Sequence, residues 1–223
     1  MKRSAPPLVR DDPDREPLVG NIKVTREDWL NLARDVLVHE GVGELKILTL
    51  SARLSVSRSS FYWYFKNRKD LLDALLDQWE ARNTQTIVDQ CALPSGSISE
   101  AVSNFFRCFV SETLFDPGLD FAVREWSRRD EAVRQRIDAA DSTRLEAVTG
   151  LFRRHGFADY DADTRARIVY FMQIGYHALE LRETLDQRLD RAPGFLRGFT
   201  GEDPDPQVIA DFAAFARSQQ EAT

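Results

Sequence analysis

Hydrophobic residues recur at helical spacing along most of the chain. Near its start, Trp29, Ala33, Val36 and Leu37 stand at positions i, i+4, i+7 and i+8, so they share one face of a helix that ends at about residue 40. Residues 25–28, Thr-Arg-Glu-Asp, have the pattern of a capping box at the start of that helix. No segment alternates hydrophobic and polar residues between turn signals, as a half-buried strand would. The pattern therefore predicts an all-α protein.

Further helices are expected between stretches of glycine, proline and polar residues. The predicted helices cover residues 45–54, 58–65, a segment opening at Asn67 with apolar residues to Trp79, then 99–115, 121–126, 131–154, 161–189 and 207–218. Ser57 is the expected cap of the short helix over 58–65. Residues 191–206 contain three prolines and three glycines, so they predict a loop.

The composition is that of a globular protein with a sizeable core. The chain has 223 residues, of which 43% are hydrophobic and 30% are charged. No hydrophobic run approaches the roughly 20 residues of a membrane-spanning helix, so an integral membrane protein is not expected. Residues 1–24 are polar and rich in proline, lack the apolar core of a secretory signal and predict a flexible arm. Two cysteines cannot form a disulfide framework, so we expect a cytoplasmic protein.

The charge is distributed unevenly along the chain. The whole sequence carries a net charge of −6, yet residues 21–70 hold nine basic and six acidic side chains. From Lys46 to Lys69 the sequence contains no acidic residue. A local basic surface attracts phosphates even on an acidic protein, because solvent screens distant charges. Charge alone leaves open the alternative that this is a solvated face without a partner.

The basic segment also has the pattern of a helix-turn-helix. Two short helices joined by a tight turn place the second helix in the DNA major groove. Leu50, Leu54, Val56 and Phe61 are spaced to form the apolar hinge between them. The exposed side of the second helix then carries hydrogen-bonding and aromatic side chains: Arg58, Ser59, Ser60, Tyr62, Trp63 and Tyr64.

Residues 54–72, Leu-Ser-Val-Ser-Arg-Ser-Ser-Phe-Tyr-Trp-Tyr-Phe-Lys-Asn-Arg-Lys-Asp-Leu-Leu, closely resemble the DNA-binding signature of TetR-family transcriptional regulators. The resemblance covers about residues 25–75 and, more loosely, the segment 125–130. Three positions depart from the family pattern. Ser55 stands in place of the usual turn glycine, Ser51 in place of an alanine, and Lys46 in place of a capping Thr or Ser. A positive φ is less favourable for serine than for glycine, so Ser55 puts the details of docking in doubt.

The resemblance implies a role for each matching residue on double-stranded operator DNA. The expected phosphate contacts are Lys46, Tyr62, Lys66 and Arg68. The residues expected to face base edges are Arg58, Ser59, Ser60 and Tyr64, with Arg58 suited to guanine O6 and N7. Trp63 is expected to pack on sugars or a thymine methyl group. For Tyr62 and Trp63 the alternative is that they only seal the core of the DNA-binding domain.

The resemblance further implies that residues 71–223 form a helical domain that binds a small-molecule effector. The expected effector-binding residues combine aromatic groups with two polar side chains on one helical stripe: Phe105, Phe109, Phe121, Trp126, Tyr170, Gln173, Tyr176 and His177. A few polar groups among apolar neighbours suit a ligand cavity. The alternative is ordinary core packing with a hydrogen-bonded histidine.

The same domain is expected to form a homodimer. An adjacent stripe and the last helix supply the expected interface: Ile168, Phe171, Met172, Gly175, Leu179, Val208, Phe212 and Phe215. Paired across a two-fold axis, the two helices of each subunit would form a four-helix interface. The alternative is that both stripes pack only within the monomer.

Other chemistry lacks support in the sequence. The three histidines have no ligand spacing with the cysteines, and no phosphate loop or nucleophile motif is present, so neither a metal, a cofactor nor an enzyme is expected. We therefore expect a flexible arm over residues 1–24, a three-helix helix-turn-helix domain over 25–70 and an effector-binding, dimerising bundle over 71–223. The predicted function is a dimeric repressor that a small molecule releases from a palindromic operator. The rival is a helical interaction module that no longer reads DNA, suggested by Ser55 and the acidic net charge.

Overall fold

The computed structural model describes residues 24–179 and 181–221. Within these ranges every regular element is a helix, which confirms the predicted all-α class. The α-helices are α1 (Arg26–Glu40), α2 (Ile47–Arg53), α3 (Arg58–Phe61), α4 (Arg68–Trp79), α5 (Gln85–Ala92), α6 (Ile98–Arg107), α7 (Pro117–Ser127), α8 (Glu131–Arg154), α9 (Asp159–Ala178), α10 (Leu185–Thr200) and α11 (Pro206–Glu221). The 3₁₀ turns Val42–Glu44 and Cys108–Val110 and the π-helical segment Glu80–Thr84 complete them. Residues 1–23 of the predicted arm lie outside the described residues.

The described residues form two compact units, divided between residues 77 and 78. The division falls inside α4, whereas the sequence predicts it near the start of that helix, between residues 70 and 71. None of the described helices is long and apolar enough to cross a membrane.

The first unit is a small helical domain built on an aromatic core. Trp29, Phe61 and Phe65 are buried, with the Trp29 and Phe61 rings edge to face at 5.2 Å between centroids. The predicted capping box of α1 is confirmed, because the Thr25 side chain accepts from the Asp28 amide and the Asp28 side chain accepts from the Thr25 amide. The contact between the Trp29 and Phe61 rings fixes α3 against α1.

Two predicted helices end earlier than their apolar patterns suggest. The helix predicted over 58–65 stops at Phe61, because the chain turns so that Phe65 can pack 5.3 Å from the Phe61 ring. Ser57 does not cap α3, since its hydroxyl bonds that of Ser59 instead. The helix predicted over 99–115 stops at Arg107 and tightens into the following 3₁₀ turn.

The second unit packs α8 against α5, α7 and α9 at its centre. Its largest hydrophobic cluster includes Phe105, Phe152 and Tyr170, all fully buried. A smaller cluster joins α10 and α11 through Leu189, Phe212 and Ala216.

The region after residue 178 differs from the prediction. The long helix predicted over 161–189 is interrupted after α9, and the loop predicted over 191–206 is wrong for residues 191–200, which lie in α10 together with Pro193. A proline inside a helix costs about 3 kcal/mol. Thr184 and Gln187 form a capping box at the start of α10, and Leu196 and Phe199 are buried along it. Capping and burial together offset the proline.

Ser55 adopts the left-handed conformation that the turn requires, with φ of +56°. Replacing Ser55 with glycine should raise the free energy of unfolding by about 0.5–1 kcal/mol, because glycine removes more strain than its extra unfolded freedom costs. Ser57→Gly is the control, because Ser57 is extended with φ of −72° and should be slightly destabilised. Urea unfolding of the full chain measures both. A Ser55→Gly variant no more stable than the wild type would contradict the prediction.

Candidate nucleic-acid interface and ligand cavity

The turn between α2 and α3 has the geometry of a helix-turn-helix. Leu50 and Phe61 are fully buried at the hinge, with Leu54 and Val56 half-buried beside them. The Val56 amide donates to the Ser51 carbonyl at 3.0 Å, which closes the turn. The apolar hinge predicted from the sequence therefore holds α3 against α2.

The outer side of α3 and the turn after it is open. Trp63 is 81% exposed and Tyr62 is 57% exposed, so the alternative that these rings only seal the core is wrong. Arg58 and Ser59 are exposed and Ser60 is half-buried. This surface offers flat rings and hydrogen-bonding groups to a ligand.

Most cations of the basic segment are already paired. Arg53 makes a two-pronged bond to Glu40 at 2.5 and 2.7 Å. Lys46 contacts Glu44 at 3.1 Å, and Lys69 contacts Asp73 at 2.6 Å. The net positive charge of this surface is therefore smaller than the run of basic residues suggests.

Arg58 and Lys66 are the exceptions. Neither side chain has an ion-pair or hydrogen-bond partner among the described residues, and both are exposed. Arg58 is the first residue of α3, and Lys66 follows the turn that comes after this helix. These two side chains supply the free positive charge at the candidate interface.

Two other predicted DNA-contacting residues have partners within the protein. The Arg68 guanidinium donates to the carbonyls of Leu45 and Val42, both at 2.6 Å, and so ties the entry of α2 to the start of α4. The Tyr64 hydroxyl donates to the Val24 carbonyl at 2.7 Å. Both side chains help to position the helix-turn-helix, and their contact with DNA stays a prediction.

A buried ionic cluster lies in the second unit. Asp120 and Arg144 are almost wholly buried and 2.9 Å apart. Arg124 bonds Asp120 at 2.9 Å and Asp141 at 2.6 Å, and the Tyr170 hydroxyl donates to Asp141 at 2.6 Å. Burial alone would raise the pKa of Asp120, but the guanidinium groups of Arg144 and Arg124 outweigh it and lower that pKa to about 2. The cluster therefore stays charged throughout the physiological range.

The end of α4 is attached to this cluster. The Trp79 indole donates to Asp120 at 2.7 Å, and the Arg144 guanidinium lies over the Trp79 ring, 5.2 Å from its centroid. Arg144 also donates to the Thr84 hydroxyl at 3.0 Å in the π-helical segment. The cluster thus joins α4, the π-helical segment, α7, α8 and α9.

A cavity opens between α6, α9, α10 and α11. Its cavity volume is about 70 Å³, and the space around it opens to solvent. Its walls are mainly apolar, with Phe106, Leu196 and Phe212 among them. The polar groups at its wall are Ser103, Gln173, Tyr176 and Arg188.

The structure places two of the predicted effector residues, Gln173 and Tyr176, at this cavity. The other predicted ones lie elsewhere: Phe105, Phe109, Phe121, Trp126, Tyr170 and His177 are absent from its wall. Phe105 is core, and Tyr170 directs its hydroxyl into the ionic cluster. The sequence does not predict the wall formed by α10, because residues 185–189 are predicted as the end of the preceding helix and residues 191–200 as a loop. The capping box at Thr184 was the signal that could have revealed it.

His177 lies behind the cavity wall, where its Nε2 is 2.7 Å from the Gln173 amide nitrogen. Its ring packs against Phe109, Phe115 and Phe121, with centroids 5.6–6.5 Å away. Burial, together with the smaller effect of the Arg188 charge, lowers its pKa to about 4. The neutral imidazole therefore positions Gln173 rather than carrying charge.

The predicted dimer residues fall into two groups. Ile168 and Phe171 are exposed on α9, Leu179 is exposed directly after it, and a Cβ added at Gly175 would meet no atom of a neighbouring element within 4 Å. By contrast, Phe212 is buried in the cluster between α10 and α11 and forms part of the cavity wall. Its side chain is not on the surface of the monomer, so the prediction that it lies at the dimer interface is wrong.

The remaining predicted interface residues are less exposed than those of α9. Met172 is half-buried and lines the cavity. Val208 and Phe215 are half-buried on α11, with Arg107 lying over the Phe215 ring. No group of three or more metal-ligating side chains occurs in the described part of the chain, and Cys91 and Cys108 are buried free thiols.

Comparison with known proteins agrees with this architecture. Residues 30–75 match the model of the bacterial regulatory proteins of the tetR family. The transposon Tn10 TetC protein of Escherichia coli is 24% identical over 174 residues, which are 75% of this chain and 87% of TetC. The solved structure of AmtR from Mycobacterium smegmatis is 19% identical, with a TM-score of 0.56 over 91% of this chain and 97% of AmtR. A TetR-family regulator from Rhodococcus sp. is 16% identical, with a TM-score of 0.57 over 79% of this chain and 96% of that one.

The match over residues 30–75 identifies the helix-turn-helix as a DNA-binding domain of the kind found in bacterial regulatory proteins of the tetR family. The similarity to the solved structures extends the likeness in fold over most of the chain.

The lowered pKa of His177 makes stability depend on pH. Between about pH 6.5 and pH 4 the unfolded chain binds a proton at this histidine that the folded chain does not, so stability falls as the pH falls. From pH 7 to pH 5 this group should cost about 2 kcal/mol of unfolding free energy.

His177→Gln should remove that part of the pH dependence. His39→Gln, at an exposed position on α1, is the control and should keep it. Urea unfolding at pH 7 and pH 5 gives the comparison. Equal pH dependence in wild type and His177→Gln would show that His177 is not protonated on unfolding.

Proposed function

We propose that this regulator is a dimeric, cytoplasmic repressor that binds a palindromic operator and leaves it when a small molecule binds the second unit. The observation that carries the proposal is the combination, in one chain, of an open helix-turn-helix surface with a cavity connected by side-chain contacts to the end of α4. A binding assay with the DNA upstream of the protein's own coding sequence tests it. Affinity no greater than for unrelated DNA would favour an interaction module that does not read operators.

On DNA, α3 is the recognition helix. Its first residue, Arg58, has no competing partner and reaches guanine O6 and N7, with Ser59 and Ser60 beside it at base edges. Lys66 and Tyr62 contact phosphates, and the open face of Trp63 packs on sugars or thymine methyl groups. To contact a phosphate, Lys46 must give up or share its bond to Glu44, and Arg68 must give up or share its bonds to two backbone carbonyls. The contribution of these two residues to DNA affinity is therefore smaller.

Arg58→Ala should relax base preference at one position in each half-site, at a cost of about 1–3 kcal/mol there. Lys66→Ala should weaken binding to all sequences and reduce the slope of log affinity against log salt by about one. Fluorescence anisotropy with operator variants over a range of salt concentrations separates the two effects.

Arg167→Ala is the control, because Arg167 is a surface arginine on α9 paired with Asp163. Arg68→Ala should lower stability as well as affinity, since it releases two backbone carbonyls. Indistinguishable specificity profiles for Arg58→Ala and Lys66→Ala would contradict the assignment of base and phosphate contacts.

Dimerisation is proposed to use the exposed apolar stripe of α9, with α11 alongside. Ile168, Phe171 and Leu179 leave a hydrophobic face in water, and Gly175 between them lets a second helix approach closely. Val208 and Phe215 are the α11 residues that remain available at that interface. Two recognition helices must then meet half-sites about 34–36 Å apart.

Gly175→Leu should convert the dimer to monomer, because the added side chain meets nothing inside the subunit and projects into the interface. Gly198→Leu is the matched control: it is also a helical glycine with free space, but on α10, and should leave the dimer intact. Sedimentation velocity measures both. A Gly175→Leu variant that remains dimeric would place the interface elsewhere.

Release is proposed to pass through α9 and the ionic cluster. Gln173 faces the cavity, and Tyr170, one turn earlier on the same helix, bonds Asp141. Arg124 and Arg144 link Asp141 and Tyr170 to Asp120, which holds Trp79 at the end of α4. The proposal requires that a shift at Trp79 reach the DNA-binding unit, and α4, which begins at Arg68, is the element common to both. The ligand must bind the arrangement that disfavours DNA more tightly, since only differential affinity shifts the equilibrium.

Gln173→Ala should leave operator affinity unchanged while blunting release by the effector, which a thermal-shift screen of metabolites would identify. The wild type should lose about 5–150-fold in operator affinity at saturating effector. His177→Ala should blunt release less, because His177 acts through Gln173. Anisotropy with and without effector measures this. A wild-type response in both variants would show that the effector binds elsewhere.

A further inference from the structure

Among the described residues that line the cavity of the second unit, one is charged, Arg188. Arg188 lies on α10, is half-buried and makes no ion pair with an acidic group of the described residues. Its Nη2 is 3.5 Å from the Phe109 carbonyl, a weak contact, and its guanidinium lies 5.5 Å from the Tyr176 ring centroid. Most of its donor capacity is therefore unused.

The nearby acidic group is already engaged. Glu183 accepts from the Tyr176 hydroxyl with one oxygen and pairs with Arg191 through the other. None of the described residues that line the cavity is acidic. A guanidinium at an apolar wall without an anionic partner is a site for an anion brought by a ligand, because pairing offsets the cost of its partial burial.

The rest of the wall determines what that anion is attached to. Val110, Met172, Leu189, Ala192, Phe195 and Leu196 face the cavity, and they leave a mostly apolar space. A single cation balances a single negative charge, which a planar carboxylate accepts in a two-pronged bond. The Gln173 amide is a further polar group at the cavity wall.

We propose that the cavity binds an amphipathic carboxylate, with its anionic end at Arg188 and Gln173 and its hydrocarbon body between α6, α10 and α11. This inference rests on the proposed effector-binding function and names the chemical class of the ligand. An alcohol of the same length is neutral and an amine is positively charged, so neither supplies the negative charge that pairs with Arg188, and both bind less tightly.

Isothermal titration calorimetry on the full chain without DNA tests the proposal. The probes are sodium octanoate, 4-phenylbutanoate, 1-octanol and octylamine, all below micellar concentration. The wild type should bind at least one carboxylate about 10- to 100-fold more tightly than the alcohol or the amine. Arg188→Gln should lose that preference, whereas Arg197→Gln, an exposed arginine on the same helix paired with Asp203, should keep it.

A second variant tests the position of the hydrocarbon body. Ala192→Phe should fill the apolar space and weaken carboxylate and alcohol alike, without removing the anion site. Any of three outcomes would overturn the proposal: no carboxylate binds, the alcohol or amine binds as tightly, or Arg188→Gln binds octanoate like the wild type. A carboxylate that binds at Arg188 but does not release operator DNA would leave this inference intact and contradict the effector-release mechanism instead.

Discussion

The second unit depends on the ion pair between Asp120 and Arg144. Both groups are almost wholly buried, so each requires the other: removing one partner of such a pair costs about 3–5 kcal/mol, because a charge is left buried and uncompensated. The pair is also fully bonded, through Trp79, Thr84, Arg124 and Tyr170. Hydrocarbon packing alone tolerates small sliding of helices. A network of directed bonds fixes the end of α4 relative to α7, α8 and α9.

In the proposed mechanism, this arrangement is what lets the second unit respond to a ligand. The helix α9 contributes Tyr170 to the cluster and Gln173 to the cavity wall, so a ligand that shifted Gln173 would also shift Tyr170. The π-helical segment after α4 meets the same cluster at Thr84, and π-helical turns often mark functional positions in helices. The physical requirement is two discrete arrangements of the cluster, with different affinities for ligand and for DNA.

The sequence predicted the DNA-binding unit better than the second unit. In the first unit, local signals decide the structure: the capping box at Thr25, the hinge at Leu50 and Phe61 and the turn at Ser55 all lie within a short stretch of chain. The structure adds what spacing cannot provide, namely that Arg53, Lys46 and Lys69 are paired while Arg58 is free.

In the second unit, the informative contacts join residues far apart in sequence. Asp120 meets Arg144 and Trp79 only in the folded bundle, and one carboxylate among 36 acidic residues does not stand out in the sequence. The cavity was missed because Pro193 and the nearby glycines predict a loop, while the cap at Thr184 and the burial of Leu196 favour a helix. Only the structure shows that Arg188 lines the cavity, because that position depends on how α10 packs in the folded second unit.

The most direct test of the account is the affinity of one ligand measured twice, on the free protein and on the protein bound to its operator duplex. Calorimetry with sodium octanoate in both states gives the two dissociation constants. Coupling between the sites is reciprocal, so the account predicts that DNA weakens octanoate by the same factor, about 5–150-fold, by which octanoate weakens DNA binding. Equal octanoate affinity in the two states would show that the cavity and the helix-turn-helix are not coupled and would contradict the account.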